Sequence, residues 1–307
     1  MSTTAFTARV IASHGRHYVA RDNDGKLWHC IARGKKREVA VNDLVRVTDL
    51  GNSGDVSQPQ AVIEEIDARK NLFKRSDQFK KKAITANVDQ VWFVVATEPS
   101  FDPELLSRCQ VACAAEDIDF STILNKADLS DLLPRAEALL DPFVQIGIPV
   151  IRTSTLDGRG LDRLRDQLAG KSTALTGQSG MGKSSLINAL VPDAQATIGD
   201  ISRYLDTGRH TTTTVQAYQA GVDTTIIDVP GLQVFGLSHL SDEQILLAFP
   251  EFRPHLGDCR FRDCRHDKDP GCALQAAVSD GTATETRLQL LRRLLTENKS
   301  SRQQTQT

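Results

Sequence analysis

The sequence predicts an α/β domain that is preceded by a small β-barrel and followed by a helical module. Three observations lead to this prediction. Short alternating segments separated by turn signals fill the first 68 residues, strands alternate with helices over residues 88–240, and strand patterns stop after residue 240. At 307 residues the chain is long enough for two or three domains, each with its own core.

Five short segments with period-two alternation make up the first predicted domain, residues 1–68. They are "FTARVIAS", "HYVARD", "LWHCIARG", "DLVRVTDL" and "AVIEEIDA", and turn signals such as "DNDG" and "GNSGD" lie between them. Five is the strand count of the OB-fold. We therefore expect an OB-like β-barrel.

A basic segment follows, and we interpret residues 69–87 as a linker. Its "RKNLFKRSDQFKKK" (69–82) holds seven Lys and Arg against one Asp, although the net charge of the whole chain is only −2. Such a charge run is either a solvated linker or, beside a barrel that binds nucleic acid, part of the binding surface. The sequence leaves both interpretations open.

The alternating strands and helices of residues 88–240 predict a doubly wound sheet, with functional groups at the carboxyl ends of its strands. The predicted strands are "VDQVWFVVAT", "DFSTILNKAD", "IPVIRTS", "STALTG", "VQAYQAG" and "TTIIDVPG". The predicted helices are "DPELLSRCQVACAAE", residues 131–146, "GLDRLRDQLAG" and "KSSLINALV".

Helical patterns fill residues 241–307. The segments "SDEQILLAFPEF" and "TETRLQLLRRLLTEN" flank a group of cysteines, and the polar tail "KSSRQQTQT" is predicted to be disordered. No apolar run reaches the roughly 20 residues of a membrane helix, and the first residues lack the layout of a signal peptide. We expect a cytoplasmic monomer without a membrane partner.

The stretch "GQSGMGKSS" (177–185) has the spacing of a phosphate-binding loop, and a predicted strand and helix flank it as that loop requires. Its backbone N–H groups and the helix N-terminus would surround the phosphates. Lys183 is expected to reach the β- and γ-phosphates, and the Ser184 hydroxyl to bind Mg²⁺. The residues expected to contact the nucleotide here are Gly177, Gln178, Ser179, Gly180, Met181, Gly182, Lys183, Ser184 and Ser185.

Two further segments fit the magnesium side of such a site. Asp228 of "DVPG" (228–231) ends an apolar strand and is placed to hold magnesium through water, while the Gly231 N–H is placed to bind the γ-phosphate. In "GRHTTTT" (208–214) we choose Thr212 as a magnesium ligand that leaves on hydrolysis. A threonine-rich loop without a special role is the alternative.

The base is predicted from "NKAD" (125–128). The Asp128 carboxylate can accept two hydrogen bonds from guanine, whereas adenine offers no such pair of donors, so GTP is favoured over ATP. Asn125 would brace the pocket, Lys126 would cover the base, and Ala127 completes the tetrapeptide. Ser154 of "TSTLDG" is expected to offer its backbone N–H to the guanine O6. Because "NKAD" precedes the phosphate loop, the usual GTPase order is circularly permuted, which neighbouring chain termini permit.

These motifs, in this order and together with the cysteine group, resemble the RsgA/YjeQ family of circularly permuted P-loop GTPases. The resemblance rests on "NKAD", "GQSGMGKSSLIN", "GRHTTT" and "DVPGLQVFGL", and it covers nearly the whole chain. It implies GTP hydrolysis that the 30S ribosomal subunit stimulates during late maturation of that subunit. Met181 and the polar strand "KSTAL" depart from what we expect of the family, but neither removes a functional group.

The residue after "DVPG" is Leu232, where many GTPases have a glutamine that orients the attacking water. We therefore expect slow intrinsic hydrolysis. His210 or a group from the ribosome would supply the missing function, and Gln233 is the weaker candidate because it lies one place further on. A structural role for His210 stays open.

The cysteine group "CRFRDCRHDKDPGC" combines three thiols and one imidazole, Cys259, Cys264, His266 and Cys272. Three thiolates and one imidazole complete a tetrahedral zinc shell and leave no position for water, so a single structural Zn²⁺ is predicted.

Two functions remain to be separated. The favoured one is a GTPase whose barrel and zinc module bind 16S rRNA in the 30S subunit, with the basic segment adding salt-dependent affinity. The alternative is a guanine-nucleotide switch with a protein partner, in which hydrolysis is incidental. An ATP-using kinase is disfavoured by Asp128.

Overall fold

The computed structural model describes residues 5–32, 38–51, 59–76, 81–191, 193–194 and 214–305. The predicted architecture is confirmed: a β-barrel at the N-terminus, a doubly wound α/β domain and a helical region that carries the cysteine cluster. No helix within these described ranges is long and apolar enough to cross a membrane.

The five predicted barrel strands are all present. Strand β1 pairs with both β2 and β4, so the order β1-β2-β3-β5-β4 closes on itself. Inside lies a separate core that includes Trp28, Val45 and Ile63, because alternate residues of each strand point inward. The strands are β1 Ala5–His14, β2 His17–Asp22, β3 Leu27–Ala32, β4 Leu44–Asp49 and β5 Gln60–Ile66.

The segment expected to be a basic linker contains regular structure. Strands β6 (Leu72–Ser76) and β7 (Lys81–Ala86) form a two-stranded antiparallel sheet. Phe73 anchors this hairpin, since it is fully buried and its ring lies 5.7 Å from that of Phe235. One buried aromatic residue among seven basic residues gives too weak an alternation to reveal a strand in the sequence.

The α/β domain has a six-stranded sheet in the order β10-β9-β8-β11-β13-β12, in which only β12 is antiparallel to its neighbour. Every residue of the central strand β8 is buried, as expected for a strand covered on both faces. The strands are β8 Gln90–Ala96, β9 Asp119–Asn125, β10 Val150–Arg152, β11 Ser172–Gly177, β12 Val215–Gly221 and β13 Thr224–Asp228. The helices are α1 Pro103–Ala114, α2 Leu133–Gln145, α3 Leu161–Leu168 and α4 Lys183–Leu190.

The barrel and the α/β domain share one continuous sheet. Ala12 and Ser13 of β1 pair with Gln216 and Val215 of β12, which joins the two sets of strands into eleven. The hairpin adds a second link, because Ser76 and Gly236 exchange backbone hydrogen bonds of 2.9 and 3.1 Å.

The C-terminal region packs against α1 through ion pairs. Arg108 of α1 lies 2.7 Å from Glu297, and Arg293 forms a second ion pair with Glu104 of α1. Within the C-terminal region itself, the buried Arg287 lies 2.6 Å from the buried side chain of Glu251. The helices are α5 Asp242–Leu247, α6 Ala273–Ser279 and α7 Glu285–Thr305, with short 3-10 turns at Ser130–Leu132 and Arg253–His255.

The tail predicted to be disordered is helical as far as Thr305, and in this respect the prediction is wrong. No glycine or proline interrupts residues 285–305, and most of them are good helix formers. The hydroxyl of Ser300 also donates to the Thr296 carbonyl one turn earlier, at 3.1 Å.

Candidate functional site

The predicted nucleotide-binding loops converge at the carboxyl ends of β9, β11 and β13. Two backbone hydrogen bonds join residues 229–232 to the end of β11, where the phosphate loop begins: Val229 N–H donates to the Leu175 carbonyl at 3.0 Å, and Leu232 N–H donates to the Gly177 carbonyl at 2.9 Å. Parallel strands place their carboxyl ends at one edge of the sheet, so segments distant in sequence meet there.

Two glycines of these loops lie close to neighbouring segments, and Gly182 has no room for a side chain. Gly182 has a φ of 82°, and a Cβ there would overlap the side-chain amide of Asn125. A Cβ on Gly231 would lie 3.3 Å from the Ser179 nitrogen. The phosphate loop is therefore in close contact with both "NKAD" and "DVPG".

The permuted motif is hydrogen-bonded directly to the phosphate loop. Asn125 is 1% exposed; its amide donates to the Met181 carbonyl at 3.0 Å and its oxygen accepts from the Thr153 hydroxyl at 3.1 Å. The Lys126 ammonium donates to the carbonyls of Gly180 and Glu98 at 2.9 and 2.7 Å. Lys126 and the phosphate loop thus lie on one surface despite their separation along the chain.

Lys183 and Asp228 form an ion pair, with side chains only 10% and 22% exposed. The Lys183 ammonium contacts Asp228 Oδ1, so the two groups predicted to serve the phosphates and the magnesium are adjacent. Ser184 is exposed at the first turn of α4. A carboxylate and an exposed hydroxyl are oxygen donors of the kind that Mg²⁺ prefers.

The base-binding end differs from the prediction at Ser154. Its backbone N–H already donates to the Arg159 carbonyl at 3.0 Å, and its hydroxyl accepts from the N–H groups of Leu156 and Asp157 at 3.1 and 3.3 Å. Ser154 therefore shapes the loop and has no N–H left for a base. Among the described residues the next N–H, that of Thr155, makes no hydrogen bond, and Thr155 is exposed. Nothing in the motif "TSTLDG" indicates this shift of one residue.

The same loop is tied to "NKAD" around a half-exposed Asp128. Arg159 donates to the Ala127 carbonyl at 3.0 Å, and Ala127 N–H donates to the Thr153 carbonyl at 3.0 Å. The Asp128 carboxylate itself accepts no hydrogen bond from any residue that the structure describes, so it is available to a ligand. The phosphate-loop residue Gln178 is also held in place, because its side-chain oxygen accepts from the Asp102 N–H at 2.7 Å.

The remaining residues on the phosphate side are placed as follows. Leu232 is 3% exposed and cannot contact a bound water, whereas Gln233 is exposed. Ser179, Gly180 and Ser185 are exposed and the Met181 side chain is buried, while its carbonyl holds Asn125. The candidates His210 and Thr212 lie outside the described residues.

The four predicted metal ligands form one cluster. The ligand atoms of Cys259, Cys264, His266 and Cys272 all lie within 4.8 Å of one another, a separation that lets them hold one metal ion. The Nδ1 atom of His266 lies 3.6 Å from the sulfurs of both Cys259 and Cys272.

Backbone geometry holds the cluster in shape. His266 has a φ of 59°, and Arg292 of α7 donates to its carbonyl and, at 2.9 Å, to that of Asp267. Desolvation, together with the neighbouring thiols, raises the pKa of Cys264 to about 12. A divalent cation reverses that effect, because coordinating thiols lose their protons.

Comparisons with known proteins agree with this geometry. Residues 66–238 match the family model described as RsgA GTPase. The chain is 44% identical over 306 residues to the small ribosomal subunit biogenesis GTPase RsgA of Bordetella pertussis, covering 98% of this chain and 99% of that one. It is 47% identical over 294 residues to the protein of that name from Burkholderia pseudomallei, covering 94% and 91%.

Two solved structures share the fold. YjeQ from Thermotoga maritima superimposes with a TM-score of 0.71 at 26% identity, covering 96% of this chain and 99% of that one. YloQ, described as a circularly permuted GTPase, gives a TM-score of 0.67 at 27% identity, covering 97% and 96%. With "NKAD" hydrogen-bonded to a phosphate loop that follows it in sequence, the chain belongs to the RsgA GTPase family.

Proposed function

We propose that this GTPase binds the 30S ribosomal subunit, that the subunit stimulates its hydrolysis of GTP to GDP and phosphate, and that it acts late in maturation of that subunit in the cytoplasm. The contact of Asn125 and Lys126 with the phosphate loop carries the nucleotide part, because it unites a guanine-reading motif and a phosphate site in one cleft. The name of its relatives supports the ribosomal part.

In the proposed site the chain's own groups have separate tasks. Lys183 leaves Asp228 to bind the β- and γ-phosphates, and backbone N–H groups of the phosphate loop and of Gly231 bind the phosphate oxygens. Asp228, Ser184 and Thr212 would hold Mg²⁺, which when bound neutralises charge on the phosphates. His210 is our candidate for orienting the attacking water, because the buried Leu232 cannot do so.

At the base, Asp128 accepts hydrogen bonds from guanine and Lys126 covers the ring. We assign the contact with guanine O6 to Thr155 N–H instead of Ser154 N–H, because the latter is bonded to Arg159 within the loop. The buried Ser154 hydroxyl then serves to present Thr155.

We infer that the cysteine cluster holds one structural Zn²⁺ and that the protein is a monomer that contacts 16S rRNA through its barrel and zinc loop. Thiolate-rich tetrahedral sites favour zinc. The exposed Phe261 with its flanking Arg260, 5.3 Å from ring centre to guanidinium carbon, offers a flat face and a positive charge, both of which RNA binds.

The experiment is to measure GTP turnover with and without purified 30S subunits, with 50S subunits as the matched control. We expect stimulation by 30S alone and co-sedimentation that depends on GTP. Turnover that neither subunit changes, together with no co-sedimentation, would favour the alternative of a switch with a protein partner.

A further inference from the structure

The side-chain nitrogen of Gln216 is buried and has no hydrogen-bond partner among the described residues. Gln216 is the second residue of β12, it is 9% exposed, and its side-chain Nε2 is inaccessible to solvent. A buried donor that makes no hydrogen bond destabilises a fold, so such a group calls for an explanation.

The sheet places Gln216 next to the magnesium-binding carboxylate. In the antiparallel pair of β12 and β13, Gln216 lies directly opposite Asp228. Directly opposed residues point to the same face of a sheet with their Cβ atoms about 5 Å apart. On its other side Gln216 pairs with Ala12 of β1, which has no polar side chain to offer. Asp228 is therefore the nearest cross-strand acceptor.

The charge of Asp228 also reaches the next residue of β12 on that face. Tyr218 pairs with Ile226, two residues before Asp228. Burial, and then the negative charge of Asp228, raise the pKa of Tyr218. The amide of Gln216, closer to Asp228 along the strand, lies in the same field.

Within the part of the chain that the structure describes, Lys183 is the only side chain that contacts the Asp228 carboxylate. In the structure Lys183 contacts Asp228 Oδ1. When Lys183 turns to the phosphates, the half-buried carboxylate loses that contact and becomes free to rotate. A neighbouring amide can then donate to it and fix its orientation, as partners of metal-binding carboxylates commonly do.

We propose that Gln216 is a positioning residue for magnesium: its Nε2–H donates to the Asp228 carboxylate once Lys183 has moved to the phosphates, and so holds that carboxylate in the orientation that binds the hydrated cation. The inference rests on the proposed roles of Lys183 and Asp228. It gives the unpartnered amide a hydrogen-bond acceptor that becomes available only in the loaded site.

The test uses the full-length protein and a fluorescent GDP. Its affinity is measured over a magnesium titration and again in EDTA. Gln216→Met keeps the size of the side chain and removes the amide. We expect the magnesium concentration at half-maximal affinity to rise by about tenfold, which is the effect of one hydrogen bond to a charged group. Affinity in EDTA should stay unchanged.

A matched control lies on the same strand. Gln219→Met makes the same chemical change at an exposed position, where the amide donates to the Gly221 carbonyl at 2.7 Å, and it should leave the magnesium midpoint unchanged. Gln216→Leu repeats the loss of the amide with a different shape, so the result does not depend on how one side chain packs.

The melting temperature distinguishes a positioning role of Gln216 from a purely structural one. Because Gln216→Met removes a desolvated amide, the nucleotide-free variant should melt at the same temperature as the wild type or higher. A lower melting temperature with an unchanged magnesium midpoint would overturn the inference. Asp228→Asn shows whether the inference about Gln216 fails alone or together with the proposed role of Asp228. If it shifts the midpoint and Gln216→Met does not, only the inference fails; if neither shifts it, the proposed role of Asp228 fails as well.

Discussion

The nucleotide site and the cysteine cluster obtain their geometry in opposite ways. Groups of the nucleotide site come from segments as distant as residues 125 and 228 and meet because parallel strands end together. The four cysteine-cluster ligands come from one stretch of 14 residues, 259–272. We expect the first site to exist before its ligand binds and the second to depend on a metal ion for its fold.

Burial beneath the two sites explains the difference. The strands under the nucleotide site belong to the large core, in which all seven residues of β8 are buried. Within residues 257–271 of the cysteine loop no residue is buried, and Cys272 is the first that is. With so little apolar surface to bury, we expect that loop to need metal bonds to outweigh the entropy of ordering its chain.

The largest effect should follow loss of a metal ligand. We expect Cys264→Ala to release the bound zinc and unfold the cysteine loop, because structural zinc binding is worth on the order of 10 kcal/mol. Metal analysis and limited proteolysis measure both changes. GTP affinity should be retained, and Cys30→Ala, which removes a buried thiol from the barrel, should keep the metal. A parallel loss of GTP affinity would show that the two sites are not independent.

The second prediction concerns the ammonium group of Lys183 in the nucleotide site. Lys183→Ala should lower GTP turnover by about 10²- to 10³-fold, the usual effect of removing one preorganised group that stabilises charge in a transition state. Zinc content should not change. Single-turnover hydrolysis is the measurement, and Lys70→Ala, in which an exposed lysine is lost far from the loops, is the control. Equal turnover in the two variants would contradict the assignment.

The third prediction concerns the base. Asp128→Asn replaces a charged acceptor by a neutral amide, and we expect the preference for GTP over ATP to fall by about 10- to 100-fold, as hydrogen bonds to a charged group are lost. Competition between the two nucleotides gives the ratio. Asp131→Asn, at an exposed position three residues further on, should leave it intact. An unchanged ratio in Asp128→Asn would show that Asp128 does not select guanine.

The nucleotide-binding loops were predictable because each of their motifs is short, local and tied to one backbone geometry. Strand alternation likewise predicted all five barrel strands. The hairpin of β6 and β7 was not predictable, since its register depends on the contact of Phe73 with Phe235 and on the bridge from Ser76 to Gly236, both more than 150 residues apart.

Details of hydrogen bonding were also beyond the sequence. The motif "TSTLDG" indicates a base-contacting loop, but which N–H faces the base depends on the turn that joins Ser154 to Arg159. The unpartnered amide of Gln216 becomes visible only when the register of β12 against β13 is known. In both cases the deciding feature is a backbone contact of the folded chain, a turn or a strand register, and the residue types alone do not predict it.

The smallest effect is expected for a substitution of Asp89, at the end of the sheet opposite the nucleotide-binding loops. Asp89 lies 2.7 Å from Lys70 and accepts from Ser172 N–H at 2.8 Å, which links the starts of β8 and β11. Burial alone would raise the pKa of Asp89, but the bonds to Lys70 and Ser172 and the charge of Lys70 outweigh it and lower the pKa. A lowered pKa in the folded state means that the carboxylate stabilises the fold above the ordinary Asp value, about 3.9, and that this contribution is lost as the pH falls through the folded value.

We therefore expect Asp89→Asn to lower the melting temperature at pH 7 and to lose its effect towards pH 3. The cost should stay under about 1 kcal/mol, because the side chain is 39% exposed and the ion pair is screened by solvent. Asp166→Asn, at an exposed helix position, is the control and should be neutral throughout. GTP affinity should also be unchanged, because the core between this end and the loops holds the sheet in place. If Asp89→Asn weakened GTP binding as much as Asp128→Asn does, the nucleotide site would not be preformed by the sheet, and the contrast with the cysteine cluster would fail.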